Sequence, residues 1–135
     1  MRFFLIALFG LILLSCASDP VAVEYHEQKI REILDDIKSA FNMGDLEAIM
    51  SFYHKDFLHN SMEKPQVEDL WTLRLMDYIL MDMTDIDIVV DDYDAVASFV
   101  FYLDEVKFIA PDEQGEFSYF YREDGEWSIY GNQQW

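Results

Sequence analysis

Cysteine, basic residues and glycine are scarce in this chain of 135 residues, and each scarcity excludes a class of protein. Cys16 is the only cysteine, so no disulfide can form within the chain. Nine lysines and arginines stand against 27 aspartates and glutamates, which gives a net charge of −18 at pH 7. Because this charge repels phosphate backbones, we expect no nucleic-acid partner. The sequence contains no G-x-x-x-x-G-K, G-x-S-x-G, H-E-x-x-H or glycine-rich dinucleotide pattern, and no cofactor is predicted.

The N-terminus has the organisation of a bacterial secretion signal. Arg2 precedes an uninterrupted apolar run at 3–14. This run is shorter than the roughly 20 residues that span a bilayer, and it suits a signal-peptide core of about 7–15 residues. The segment 13–16, Leu-Leu-Ser-Cys, resembles the bacterial lipobox. In that motif an apolar residue lies three positions before the cysteine, and a small residue directly precedes it.

The lipobox resemblance implies that Cys16 is lipidated and anchors the protein to a membrane of the bacterial cell envelope. Lipidation would consume a thiol that is otherwise unusual in an exported protein. Ala17 follows the cysteine, which by the same resemblance implies the outer membrane, facing the periplasm, in a host with two membranes. An ordinary secreted protein or an uncleaved anchor is the alternative. The predicted division is a lipoprotein signal peptide at 1–15, a lipidated tether at 16–21 and one folded domain at 22–135.

Apolar residues spaced three and four apart predict three helices at the start of this domain. Gly44 suits the end of the first helix, because glycine readily adopts the left-handed conformation found there. Asp45 is suited to cap the second helix, and Pro65 to occupy the first turn of the third. The third helix has a wide apolar surface. The predicted ranges are 23–43, 46–53 and 65–81.

The apolar period changes from 3.6 to 2 at Thr84, which indicates β-strands. Asp124-Gly125 is a strong signal for a two-residue hairpin turn before the last strand. Helices followed by an antiparallel meander make an α+β domain. The predicted strands are 84–90, 95–103, 106–110, 117–122 and 127–130.

Three short motifs occur in order along this domain. The first, at 40–45, matches part of an Ala-x-Asn-x-Gly-Asp pattern. The second is Tyr-x-x-Asp-Phe at 53–57, and the third is Arg-Glu-Asp-Gly-Glu-Trp-Ser-Ile at 122–129. Together they resemble the NTF2-like superfamily, including its SnoaL-like and ketosteroid-isomerase-like members, over nearly all of 22–135. The resemblance implies a cone of three N-terminal helices packed against a curved antiparallel sheet, with an apolar pocket inside. It also implies a homodimer formed through the open face of the sheet.

The resemblance also implies where a catalytic group would lie. In the superfamily's enzymes the base is a carboxylate just beyond the Tyr-x-x-Asp motif, but the matching stretch 58–61 is Leu-His-Asn-Ser. His59 and Tyr53 are therefore the weak catalytic candidates, since an imidazole titrates near neutrality.

Two groups of potential metal ligands lack a recognised spacing, and no metal site is predicted. His54 and His59 lie five apart with Asp56 between them. The acidic run has neither the glycine nor the closing glutamate of an EF-hand, and we expect it to be solvated. His26 on the first helix is expected to be exposed. The acidic run consists of Asp82, Asp85, Asp87, Asp91, Asp92 and Asp94.

The domain is rich in aromatic residues, which could line the pocket of the cone or fill its core. The leading hypothesis is a membrane-anchored domain that binds a small apolar ligand or an envelope protein. One alternative is a small isomerase, dehydratase or hydrolase that uses a histidine with a tyrosine. Another is a structural envelope protein with a filled cone. The predicted pocket residues are Tyr53, Trp71, Tyr78, Phe99, Phe101, Tyr119 and Trp127.

Overall fold

The structure is a computed structural model that describes residues 19–135. The predicted signal segment and Cys16 lie outside the described residues. Within that range three helices and a two-stranded hairpin accompany a five-stranded antiparallel sheet, and no helix is both long and apolar enough to cross a membrane. The elements are α1 (Pro20–Asn42), α2 (Leu46–Ser51), β1 (Leu58–His59), β2 (Met62–Glu63), α3 (Lys64–Asp77), β3 (Met81–Asp91), β4 (Asp94–Leu103), β5 (Val106–Ala110), β6 (Tyr119–Glu123) and β7 (Glu126–Ile129).

Helix α1 begins three residues before its predicted start, because Asp19 caps it. The Asp19 carboxylate accepts a hydrogen bond from the backbone N–H of Val21 at 3.1 Å, and Pro20 occupies the first turn. The helix thus begins inside the segment 16–21 that was expected to be a tether. Four residues of the predicted apolar stripe are buried together with Ala40, and the fifth, Ile33, is half-buried. The four are Ile30, Leu34, Ile37 and Phe41.

The junction between α1 and α2 is built as its residues predict. Gly44 has a left-handed φ of +71°, which ends α1. The Asp45 carboxylate accepts a hydrogen bond from the N–H of Ala48 at 3.0 Å and caps α2.

Helix α3 is shorter than its sequence predicts, and it buries only part of its apolar surface. It ends at Asp77, and Tyr78 is already extended with φ −131° and ψ 154°, so the predicted end at 81 is wrong. Its buried face is narrow, because Leu73 and Met76 of the wide apolar surface are 56% and 75% exposed. That face consists of Val67, Trp71 and Arg74.

The sheet is centred on β4, which pairs with three strands in the order β3-β4-β6-β7, with β5 also on β4. The first strand begins at Met81 instead of 84, and a bulge between Thr84 and Asp87 increases its bend. Strands β5 and β6 pair with opposite ends of β4, so the chain between them, 111–118, turns back into the concave side. The β4 residues buried on that side are Ala95, Ala97, Phe99, Phe101 and Leu103.

The last hairpin forms at the predicted turn. Asp124 and Gly125 have φ values of +51° and +81°, as a two-residue turn with left-handed central residues requires. Strand β6 begins at Tyr119 instead of 117. Phe117 and Ser118 belong to the preceding loop, and both are fully buried.

Candidate functional site

Aromatic side chains fill the interior of the cone. Trp71 packs edge-on against Phe41 and Phe117, with ring centroids 6.1 and 5.2 Å apart. Phe99 and Phe101 lie 5.0 and 5.1 Å from Phe117, and every ring in this cluster is at most 2% exposed. The rings therefore make a packed core in the space where the resemblance implies a pocket.

Six of the seven predicted pocket residues belong to the buried core or pack against it. Tyr53, Trp71, Phe99 and Phe101 belong to the buried interior. Tyr119 lies beside His59, with ring centroids 5.5 Å apart.

The other two predicted pocket residues lie at the margin of this interior: Trp127 belongs to the same core cluster, and Tyr78 packs against it. Tyr78 packs against Phe108 near the end of α3, with ring centroids 6.5 Å apart. Trp127 packs against α1 and forms one wall of an open groove of about 510 Å³ between that helix and the β6–β7 turn.

Tyr53 has a structural hydrogen bond inside the core. Its hydroxyl accepts a hydrogen bond from Trp71 Nε1 at 2.7 Å, and the side chain is 4% exposed. Burial raises the pKa of Tyr53 far above its ordinary value, and the negative charge of Glu116 raises it further. The phenol therefore keeps its proton near neutral pH and is a poor acid–base group.

An ion pair that no sequence motif indicated lies in the same interior. Arg74 Nη1 contacts Glu116 Oε1, and the two side chains are 6% and 4% exposed. Arg74 Nη2 also donates a hydrogen bond to Gln114 Oε1 at 2.8 Å. The guanidinium carbon lies 4.6 Å from the ring centroid of Trp71, which places the cation against an aromatic face.

The two charged groups are close together but poorly aligned for hydrogen bonding. Arg74 Nη1 and Glu116 Oε1 are buried and neither makes an aligned hydrogen bond, so the contact between them is mainly coulombic. The hydroxyl of Ser118, which is fully buried in the same loop, also has no hydrogen-bond partner. Such buried polar atoms make this cluster the candidate functional site of the described residues.

His59 closes one side of the cone and is held as a neutral imidazole. Its Nδ1 lies 3.3 Å from the donating backbone N–H of Asn132, and its Nε2 lies 3.3 Å from Asn60 Nδ2. Since the Asn60 carbonyl already accepts from Asn132 Nδ2 at 2.8 Å, its amide group faces the imidazole. Burial lowers the pKa of His59, and the charge of Glu116 opposes this only in part.

Gly115 allows the loop to lie directly on the His59 ring. A Cβ at this position would be 2.9 Å from His59 Cε1 and 3.0 Å from Nε2. A side chain would therefore force the loop that holds Gln114 and Glu116 away from the imidazole.

The other two histidines have partners of their own. His54 Nε2 lies 2.7 Å from Glu123 Oε2. His26 was expected to be exposed, and this is wrong. It is half-buried, with its Nδ1 accepting from Trp127 Nε1 at 3.0 Å and its Nε2 lying 2.7 Å from Arg122 Nη1. In residues 19–135, no three histidines or carboxylates are grouped so that they could hold a metal ion.

No protein-family model matches the sequence, and no curated protein matches it significantly. Solved structures match it in fold. A protein of unknown function from Mycobacterium tuberculosis is 18% identical with a TM-score of 0.59, and the match covers 85% of this chain and 74% of that one. An NTF2-like protein of unknown function from Pseudomonas putida is 14% identical with a TM-score of 0.58, covering 80% and 84%.

A proposed scytalone dehydratase from Novosphingobium aromaticivorans is 12% identical with a TM-score of 0.59, and the match covers 80% of this chain and 81% of that one. At these identities the similarity concerns the fold alone. The observed arrangement of helices against a curved antiparallel sheet agrees with it. The α+β fold class predicted from the sequence is therefore confirmed: the chain has the NTF2-like fold.

Proposed function

We propose that this chain is a lipoprotein of the bacterial cell envelope, anchored through Cys16, whose NTF2-like domain binds a protein partner and does not catalyse a reaction. One observation carries the proposal: the interior of the cone is occupied by the protein's own side chains. Trp71, Phe101 and Phe117 are fully buried against one another there. A ligand inside the cone would have to displace them, whereas the outer surface is free to bind a partner.

Three polar groups of the interior support a binding role, because each already contacts another group of the protein. The Glu116 carboxylate is paired with Arg74, and the Tyr53 hydroxyl is bonded to Trp71. Nδ1 of His59 accepts from the backbone N–H of Asn132. A general base must be within reach of its substrate, whereas the Tyr53 hydroxyl and the Glu116 carboxylate are both buried, at 4% and 3% exposure.

The anchoring part of the proposal rests on the sequence at 1–16. Replacing Cys16 by alanine in the full chain should abolish labelling by radioactive palmitate and move the protein out of the membrane fraction. A Cys16→Ala variant that remains in the membrane would mean that an uncleaved N-terminus provides the anchor.

The binding part can be tested by chemical cross-linking of the full chain in bacterial cells. We expect a discrete adduct with one other protein, and we expect it to persist in Glu116→Gln and His59→Gln variants, since partner binding does not use the interior. A complete absence of adducts would favour a purely structural envelope protein. Loss of the adduct in both variants would point instead to a role for the interior.

A dehydratase is the second candidate, and one observation favours it. Gly115, the chain neighbour of Glu116, lies directly on the His59 ring, and the Glu116 and His59 side chains are both buried, so a carboxylate and an imidazole share the interior. A solved structure with the same fold is a proposed scytalone dehydratase. Loss of one water from hydroxylated carbonyl compounds, followed by mass spectrometry, tests this role. Activity should disappear in Glu116→Gln and persist in Tyr25→Phe, a change at an exposed side chain.

A further inference from the structure

Five large apolar side chains are exposed together at one end of the domain, and we call this surface the apolar tip. Their exposed fractions range from 46% to 77%, although monomeric proteins rarely group so much apolar surface in one place. They come from the end of α1, the end of α3, the linker before β3 and the start of β5. The residues of the apolar tip are Met43, Met76, Ile79, Leu80 and Val106.

Hydrogen bonds between these segments bring the apolar tip together. The carboxylate of Asp104, in the β4–β5 turn, accepts from the backbone N–H groups of Ile79 at 3.1 Å and Leu80 at 2.9 Å. The N–H of Asp104 donates to the carbonyl of Leu80 at 2.8 Å. Val106 begins β5 directly after this turn and pairs with Leu103.

The end of α1 is fastened to the same place. The side chain of Asn42 accepts a hydrogen bond from the N–H of Met81 at 2.6 Å and donates one to its carbonyl at 3.2 Å. Met43 is therefore held next to the linker that carries Leu80. Because the backbone beneath the exposed side chains is fixed, little conformational entropy would be lost when a partner covers them.

Acidic side chains surround the apolar tip. The segments 43–45, 76–82 and 104–107 contain five carboxylates and a single basic residue, Lys107. The carboxylates are all exposed. The rim therefore has the charge pattern of a surface that attracts lysine and arginine and repels a surface like itself. The acidic residues of the rim are Asp45, Asp77, Asp82, Asp104 and Glu105.

The apolar tip lies at the far end of α1 from the predicted anchor. Cys16 is four residues before Pro20, where α1 begins, and the tip is at the helix's other end. A helix of 23 residues is about 35 Å long, so the tip is well separated from the point where the lipid would attach. An acidic rim would also be repelled by anionic lipid.

We propose that the apolar tip is the docking surface for a protein partner whose contact face has an apolar centre and a rim of lysine and arginine. This inference rests on the proposed function, in which the domain binds a protein. A second copy of the chain is disfavoured as the occupant, because the two acidic rims would face each other.

Binding of a defined peptide by the full chain, purified from bacterial cells, tests the docking surface. The probe is an amphipathic helical peptide with leucine on one face and lysine along both flanks, and its counterpart has glutamate in place of lysine. We expect the lysine peptide to bind and the glutamate peptide not to bind. The Ile79→Glu substitution should weaken binding about tenfold or more.

Val89→Glu is the matched control, since this variant adds the same charge at another exposed apolar residue. Val89 is 63% exposed and lies eight residues along β3 from Met81, about 25 Å away in an extended strand. Binding should be nearly unchanged in this variant. Equal weakening by both substitutions would mean that the peptide responds only to net charge, which would overturn the proposal.

Two other outcomes would also overturn it. One is a dimer of the full chain that Ile79→Glu dissociates, because a second copy would then cover the apolar tip. The other is sedimentation of the Cys16→Ala variant with phosphatidylglycerol vesicles that is lost on adding Ile79→Glu, because a membrane would then be the occupant.

Site-specific photo-cross-linking in cells separates this inference from the proposed function. A photoreactive residue at position 79 should give a protein adduct, and the same residue at position 89 should not. Adducts from position 89 alone would overturn the docking surface and leave the proposed function standing. Dehydration of a substrate by the chain, without adducts from either position, would overturn both.

Discussion

Arg74 and Glu116 form an ion pair inside the cone, where neither side chain is more than 6% exposed. Helix α3 supplies the guanidinium, and the loop between β5 and β6 supplies the carboxylate. Burying two charges costs solvation energy that their mutual attraction roughly offsets, so the intact pair contributes little net stability. The energetic consequence lies in breaking the pair, because one buried charge would then have no partner.

Glu116→Ala is therefore expected to lower the free energy of unfolding by about 3–5 kcal/mol. The Arg74→Met/Glu116→Leu double variant should recover most of that loss, since apolar side chains of similar size can fill the space. Urea unfolding of the wild type and both variants measures these differences. A double variant as unstable as Glu116→Ala would show that the loop, and not the unpaired charge, accounts for the loss.

The sequence predicted the elements whose determinants are local. The stripe of α1, the cap at Asp45 and the turn at Gly125 depend on neighbouring residues, and all three are present in the structure. Glu116 could not be predicted in this way, because it lies in an irregular loop whose burial depends on how the sheet curves. Arg74 did leave a sign, since it follows Trp71 by three positions and so falls on the buried face of α3.

The hydrogen bond between Trp71 and Tyr53 makes the tyrosine hydroxyl important for stability. Tyr53→Phe would leave the indole N–H of Trp71 buried without an acceptor, and we expect a loss of about 1–3 kcal/mol. Tyr25→Phe removes the same hydroxyl from a side chain that is 59% exposed, so the change should stay within about 0.5 kcal/mol. Thermal and urea unfolding of the two variants provide the comparison. Equal effects would mean that the buried bond contributes nothing.

Two glycines with the same backbone conformation should respond differently to alanine. Gly131 and Gly125 have φ values of +77° and +81°, so alanine at either costs about 1–2 kcal/mol of left-handed strain. A Cβ at Gly125 meets no atom within 4 Å, whereas a Cβ at Gly131 would overlap the backbone carbonyl of Leu58. Gly131→Ala should therefore cost about 1–3 kcal/mol more than Gly125→Ala in urea unfolding. Equal losses would show that the β1 segment moves aside freely.

The environment of His26 could not be predicted from the sequence, because its partners lie about 100 residues away. Trp127 and Arg122 come from the last hairpin, and hydrophobic spacing on α1 gives no information about them. The imidazole also lies edge-on to Tyr25, with ring centroids 5.3 Å apart. A neutral imidazole carries a hydrogen on one ring nitrogen, and protonation adds a hydrogen to the other. That added hydrogen would point at a donor, either the N–H of Trp127 or the guanidinium of Arg122, so protonation is disfavoured.

These contacts predict a stability that depends on pH. Burial lowers the pKa of His26 below its ordinary value of 6.5, and the positive charge of Arg122 lowers it further. The unfolded chain therefore binds a proton at His26 more readily than the folded chain does. Stability from this group is complete above pH 6.5 and is lost as the pH falls from there through the folded-state pKa.

Comparison with His26→Gln isolates this contribution, because the variant keeps every other titrating group, including His59. The free energy of unfolding of the wild type should fall more steeply than that of the variant as the pH is lowered from about 7 to 5.5. Urea unfolding at several pH values measures the two slopes, and the midpoint of the His26 ring resonances by NMR reports the folded-state pKa directly. Parallel slopes would mean that Arg122 moves away when His26 is protonated, so that the folded chain accommodates the charge without loss of stability.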